Sequence, residues 1–197
     1  MNKTFKEVSY MDQLLVKPTI IHPLFIDGVL APESGGVIGM TICPGKKDNG
    51  YFSGFWERNL DADLQAIKDW GAVALVSLIE GFEFRFLQVQ DLPEKAGIFG
   101  LRWMHLPIPE ASIPDQSFEE IWQEAGPQLR QWLKEGKKIV LHCNEGFGRT
   151  GIIAARLLVE LGVEPDDAIH STRKARSGAI VNVLQEKYVR QCKSSEA

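Results

Sequence analysis

The sequence predicts an α/β domain, on three observations. A segment of helical spacing, Leu60 to Trp70, runs straight into Ala72-Val73-Ala74-Leu75-Val76-Ser77-Leu78-Ile79, the most continuous apolar run in the chain, which reads as a strand buried on both faces. The alternation recurs further on: Lys137 to Leu141 reads as a short buried strand, and Ile152, Ile153, Leu157, Leu158 and Leu161 lie on one face of a following helix, stopped by Gly162. At 197 residues with 44% hydrophobic content, the chain is long enough for one well-cored domain and short for two.

Composition removes several classes of partner. A formal net charge of -4 gives no reason to expect nucleic acid or an anionic membrane. The cysteines Cys43, Cys143 and Cys192 are odd in number and without framework spacing, which fits a reducing compartment. No apolar run approaches a membrane span, and Met1 to Pro18 carries scattered charges with no signal-peptide core. A soluble, cytoplasmic protein is expected, with an irregular arm over 1–18 and a single domain over 19–197. Its oligomeric state is left open.

The elements follow in order. A short strand is expected around Leu24–Ile26, between Pro23 and Gly28, and a second over Val37 to Cys43, halted by Pro44-Gly45. Lys46 to Gly50 reads as a solvated polar turn, in preference to a cationic lip beside an anion site. The Leu60 helix has Asn59 or Asp61 as cap and Gly71 as stop. Glu80 and Glu83 end the long apolar strand, where each can orient a loop or cap the next segment, Phe84–Glu94; neither is assigned catalysis. Leu101 to Leu106 is another strand, followed by a proline-rich loop over 107–115. Asp115 before Gln116-Ser117-Phe118-Glu119 looks like a helix N-cap. The helix Phe118 to Glu135 should turn Ile121, Trp122, Leu129, Trp132 and Leu133 to the core, with Gly126-Pro127 kinking or splitting it. Pro165 opens another helix, Ser177 to Ile180 breaks it, and Asn182–Cys192 forms the last. Arg173 and Arg176 are read as a basic last turn that suits the helix dipole, and Gln185 as a candidate for positioning water.

The chemistry concentrates in His142-Cys143-Asn144-Glu145-Gly146-Phe147-Gly148-Arg149-Thr150. Strand, glycine loop and helix N-terminus make an anion site, because loop N–H groups converge where the helix dipole favours negative charge. A thiol placed there beside a cation is favoured as the thiolate, a ready nucleophile. Arg149 offers a planar fork for two phosphate oxygens. Thr150 brings a hydroxyl near the sulfur, and His142 is placed to fix the loop's shape. A structural cysteine with a surface arginine nearby leaves the glycines and their spacing unexplained.

This stretch resembles the signature of the protein tyrosine phosphatase superfamily, His-Cys-x-x-Gly-x-x-Arg-Ser/Thr, with His142, Cys143, Gly146, Arg149 and Thr150 at the fixed positions. Cys43-Pro-Gly-Lys-Lys47, His105-Leu-Pro-Ile-Pro109 and Arg176-Ser-Gly-Ala-Ile180 flank it in the order found in the dual-specificity class, in the branch of cyclin-dependent-kinase-associated phosphatases and their bacterial relatives. The resemblance implies a single α/β domain with a mostly parallel, mixed sheet of four to five strands and helices on both sides. It also implies phosphate binding by the loop residues Asn144, Glu145, Gly146, Phe147, Gly148 and Arg149, a cysteinyl-phosphate intermediate, and no metal or organic cofactor.

In that family an acid on a loop protonates the leaving oxygen. The matching position here is Glu110, one methylene longer than the family's aspartate, with Asp115 as the rival. A carboxylate at Glu145 would repel a second phosphate, which disfavours inositol lipids. The expectation is therefore a cysteine-dependent phosphatase acting on phosphotyrosine and on phosphoserine or phosphothreonine of a protein partner. A catalytically weak phosphoprotein-binding module, or a phosphatase for a small phosphomonoester, are the alternatives.

Overall fold

The computed structural model describes residues 16–19, 22–33, 35–50 and 54–195. Its centre is a five-stranded mixed sheet flanked by helices, as expected. In chain order the strands are β1 (Val16–Pro18), β2 (Asp27–Leu30), β3 (Val37–Thr41), β4 (Lys47–Gly50), β5 (Gly54–Glu57), β6 (Ala72–Ser77), β7 (Arg102–His105) and β8 (Lys138–His142). The helices are α1 (Leu60–Asp69), α2 (Gly81–Phe86), α3 (Leu92–Ile98), α4 (Gln116–Lys134), α5 (Gly148–Glu160), α6 (Pro165–Ala175) and α7 (Val183–Gln191). The main sheet runs β2-β3-β8-β6-β7, with only β2 antiparallel.

β8 is the middle strand, between β3 and β6, and Ile139, Val140 and Leu141 are fully buried. Its parallel neighbours deliver their carboxyl ends to the same edge, so the turns after β3, β6, β7 and β8 meet there. α5 packs its apolar side (Ile152, Ile153, Leu157, Leu158) into the core from the end of that edge. The caps follow the sequence: Asn59 Oδ1 accepts the Ala62 N–H at 2.9 Å, and Asp115 Oδ1 accepts that of Phe118 at 2.9 Å.

Several expectations need correction. The first strand of the main sheet lies at Asp27–Leu30 rather than Leu24–Ile26. Gly28 is inside it, paired with Gly39, because a Cβ at Gly28 would come within 2.9 Å of Val37 Cγ1 and one at Gly39 within 3.0 Å of the Trp70 ring. The glycine read as a break marks a close approach of β2 to Val37 of β3, with Trp70 alongside. Lys46 to Gly50 is not a solvated turn: Lys47–Gly50 is β4, in a separate three-stranded sheet ordered β1-β5-β4. Residues 1–15 of the expected arm lie outside the described residues, while Val16–Pro18 pairs with β5 as a strand.

Phe84–Glu94 holds the end of one short helix and the start of another, joined through Gln88 in a left-handed conformation at φ 57. Gly126-Pro127 does not split α4, which runs unbroken over 19 residues. Ile121 is 42% exposed, on a groove beside edge strand β7, instead of in the core.

Candidate active site

Cys143 follows β8 directly and is 4% exposed. Its Sγ accepts the Gly146 N–H of the loop at 3.2 Å. Gly146 sits at φ +74, and a Cβ there would fall 2.2 Å from Thr41 O, so only glycine lets the loop close against the end of β3. The Cys43 N–H pairs with Asn144 O at 3.0 Å and seals the same junction. Burial above all pushes the Cys43 thiol up, so it stays a thiol beside the site.

His142 is fully buried behind the sulfur. Its Nδ1 faces Cys143 O at 3.2 Å, and a carbonyl can only accept, so the proton sits on Nδ1. Nε2 is then bare and accepts a hydrogen bond from the Ser77 hydroxyl at 2.6 Å, while Ser77 Oγ accepts the Trp103 indole N–H at 2.9 Å. The chain Trp103–Ser77–His142–Cys143 ties the loop's first carbonyl to β6 and β7. Burial, the largest cause, lowers the His142 pKa to about 4 from its ordinary 6.5.

The sign of the resulting pH dependence is fixed. The unfolded chain takes up this proton more readily, so the stability from neutral His142 is complete above pH 6.5 and is lost as pH falls toward 4, by about 3 kcal/mol at full protonation. Chemical denaturation should show that loss across this window, and His142→Asn should flatten the dependence.

Arg149 opens the first turn of α5 and is 3% exposed. Its Nη1 and Nη2 reach the two oxygens of Glu83 at 2.5 and 3.0 Å, and Nη1 also donates to Ile108 O at 3.2 Å. Burial works against the guanidinium charge, but the Glu83 bond and the surrounding charges raise its pKa above the ordinary value. Three of its five donors are thus engaged. The remaining two, on Nε and Nη2, form one edge of the plane, which suits a ligand presenting two oxygens. In the sequence Glu83 reads as a cap or loop residue. It does cap, since its carboxylate accepts the Glu80 N–H at 2.7 Å, and it also orients Arg149.

Two further cations hold the loop from opposite sides. Lys46 is fully buried, its Nζ 2.7 Å from Asn144 Oδ1 and 2.5 Å from Glu145 Oε1. The turn that presents it is fixed by the Gly45 N–H on Asp63 Oδ2 at 2.8 Å, and Asp63 in turn takes Arg58 through two bonds of 2.7 Å. Arg176 donates to Glu145 O at 3.0 Å and to Asp27 Oδ2 at 2.6 Å, with its guanidinium 4.3 Å from the Phe147 ring centroid. Arg176 therefore does more than complement a helix dipole, and Arg173 holds the 179–180 backbone and Glu186. The Lys46 pair also offsets the Glu145 charge, which weakens the repulsion expected of it toward a second phosphate.

A cleft of about 280 Å³ opens over Cys143, lined by Asn144, Glu145, Phe147, Gly148 and Arg149 of the loop, by Glu110 and Ala111 opposite, and by Val181 and Gln185. Of the two carboxylates considered as acids, Glu110 lines this cleft; Asp115 does not and caps α4. Thr150 is fully buried and its hydroxyl makes no hydrogen bond among the described residues, the expected one to sulfur included.

A buried thiol at the carboxyl end of the central strand, with a loop N–H on its sulfur, shares one cleft with the Arg149 side chain on an α/β fold. The chain belongs to the dual-specificity class of the protein tyrosine phosphatases. The family described as "Polymorphic toxin system, DSP-PTPase phosphatase" matches residues 53–163. Cyclin-dependent kinase inhibitor 3 of Rattus norvegicus is 31% identical over 156 residues, which is 77% of this chain and 69% of that protein. Among solved structures, kinase associated phosphatase with its catalytic site cysteine replaced by serine superposes at a TM-score of 0.75, with 26% identity over 86% of this chain and 93% of that one. Tk-PTP in its active form shares the fold, at a TM-score of 0.62 and 20% identity over 85% of this chain and 96% of that one. No helix among the described residues is long and apolar enough to cross a membrane.

Proposed function

We propose that this phosphatase hydrolyses phosphotyrosine, and phosphoserine or phosphothreonine, in a protein substrate through a cysteinyl-phosphate intermediate. The observation that carries this reading is that Cys143, Arg149 and Glu110 line one small cleft. Two equatorial phosphate oxygens take the Arg149 edge, and loop N–H groups take the rest. The Cys143 thiolate attacks phosphorus; the S–P bond forms as the P–O bond to the leaving group breaks. Glu110, as the acid, gives its proton to the departing oxygen. Its carboxylate then takes a proton from water as that water attacks phosphorus, the S–P bond breaks, and the thiolate returns as inorganic phosphate leaves. The Thr150 hydroxyl, in the first turn of α5 and without a hydrogen-bond partner among the described residues, turns to the returning thiolate and stabilises it.

A cleft of this volume lies at the small end of ligand pockets, which favours an exposed phosphorylated side chain over a large ligand. The partner class we assign is a phosphoprotein, with Asn144, Glu145, Gly146, Phe147 and Gly148 shaping the phosphate seat. Acid quench during turnover of a phosphotyrosine peptide, with a metal chelator present, should leave phosphate on the peptide that contains Cys143. Turnover with phosphate on no residue would exclude the covalent route. Peptide binding without turnover would favour the phospho-binding module.

A further inference from the structure

The loop that carries Glu110 is anchored at both ends and held again at its tip. Leu106 N and Ile108 N donate to Ser77 O and Leu78 O at 2.9 and 3.1 Å, and Asp115 caps α4 at the far end. Between them the chain turns back on itself, with Ser112 N on Pro109 O at 3.1 Å and Ala111 in the left-handed region at φ 56. This turn aims the Ala111 and Ser112 carbonyls at the start of α7. Asn182 Nδ2 donates to Ala111 O and Gln185 Nε2 to Ser112 O, both at 3.1 Å.

Both amides are engaged at both ends. Asn182 Oδ1 accepts the Gln185 N–H at 2.9 Å, and Gln185 Oε1 accepts the Val181 N–H at 3.0 Å. Flipping either amide would set its NH₂ against an N–H and its oxygen against a carbonyl, so the geometry admits one orientation. Gln185 is fully buried, and it packs so closely on the signature loop that a Cβ at Gly148 would lie 3.0 Å from its Nε2. One side chain therefore touches the loop that carries Arg149 and the loop that carries Glu110. The part given to Gln185 from sequence, positioning water, meets a side chain already bonded to both neighbours.

We infer that Asn182 and Gln185 are positioning residues that latch the Glu110 loop over Cys143. The inference rests on the reading of Glu110 as proton donor. Without the latch the turn at Ala111 keeps, among the described residues, its own Ser112–Pro109 bond and the anchors near its ends, and Glu110 spends less time within reach of the leaving oxygen. The effect must therefore grow as the leaving group becomes more basic, which separates it from a general loss of structure.

The test is Asn182→Ser, because a serine side chain still caps the helix but cannot reach Ala111 O. Rates are compared on phenyl phosphate, whose leaving group needs a proton, and on p-nitrophenyl phosphate, whose leaving group needs little help. Glu110→Gln and the double variant are measured alongside. Asn182→Ser should lose about tenfold in kcat on phenyl phosphate and no more than about threefold on p-nitrophenyl phosphate, and it should add nothing further in the Glu110→Gln background. Equal losses on the two esters, or losses that multiply with those of Glu110→Gln, would overturn the latch. If Glu110→Gln alone affects both esters equally, Glu110 is not the donor, and the latch falls with that reading.

Discussion

Cys143→Ser should remove turnover of p-nitrophenyl phosphate and of phosphotyrosine peptides, by at least about a thousandfold, while leaving phosphopeptide binding in place. The sulfur lies where the end of β8, the Gly146 N–H and the start of α5 meet. A serine hydroxyl in the same seat stays protonated at neutral pH. None of the neighbours among the described residues that contact it is placed to take that proton: His142 sits behind it with Nε2 already bonded to Ser77. Binding should survive because the Arg149 edge and the loop N–H groups do not depend on sulfur. Equal activity in both proteins would mean that another group is the nucleophile.

Arg149→Lys should lower kcat/KM by about 10²–10³-fold, with the loss concentrated in kcat. The guanidinium makes two bonds to Glu83 and one to Ile108 O and keeps a two-donor edge without a partner among the described residues. An ammonium has three donors on one atom. If it serves Glu83 and Ile108 O, it has one left for phosphate and none in the paired geometry that a trigonal-bipyramidal phosphorus requires. The variant should also be less stable by about 1–3 kcal/mol, because Glu83 is 4% exposed and loses a partner oxygen bond in the interior. Thermal denaturation beside steady-state kinetics separates the two effects. A lysine variant with near wild-type kcat would assign the phosphate to loop N–H groups alone.

What the sequence made legible was local. His142 to Thr150 is contiguous, and its spacing states its own geometry: a strand, a glycine turn, a helix start. Asn59 and Asp115 cap helices as their neighbours suggest, since an N-cap bond spans only a few residues. Other features are not written in any short window. Lys46 reads as part of a polar run because nothing adjacent shows that its ammonium is buried against Asn144, 98 positions away. Glu83 meets Arg149 across 66 positions, and Arg176 meets Asp27 across 149. Gly28 reads as punctuation because a strand glycine and a turn glycine look alike until it is seen paired with Gly39 beside Trp70. Ile121 has the periodicity of a core residue, but periodicity does not reveal that the sheet ends at β7.

Those long spans have a consequence for how the protein is made and broken. The signature loop carries its reactive residues within one short segment, yet the cations that fix its shape enter from both ends of the chain. A fragment containing the motif would have the chemistry and lack the scaffold, so the site comes into being only when β2, β3 and β8 have joined and the turn at Lys46 has docked. Conversely, local opening of that turn would silence the loop while the rest of the sheet stays folded. Catalytic competence is therefore a report on one peripheral turn as much as on the central strand that bears the thiol.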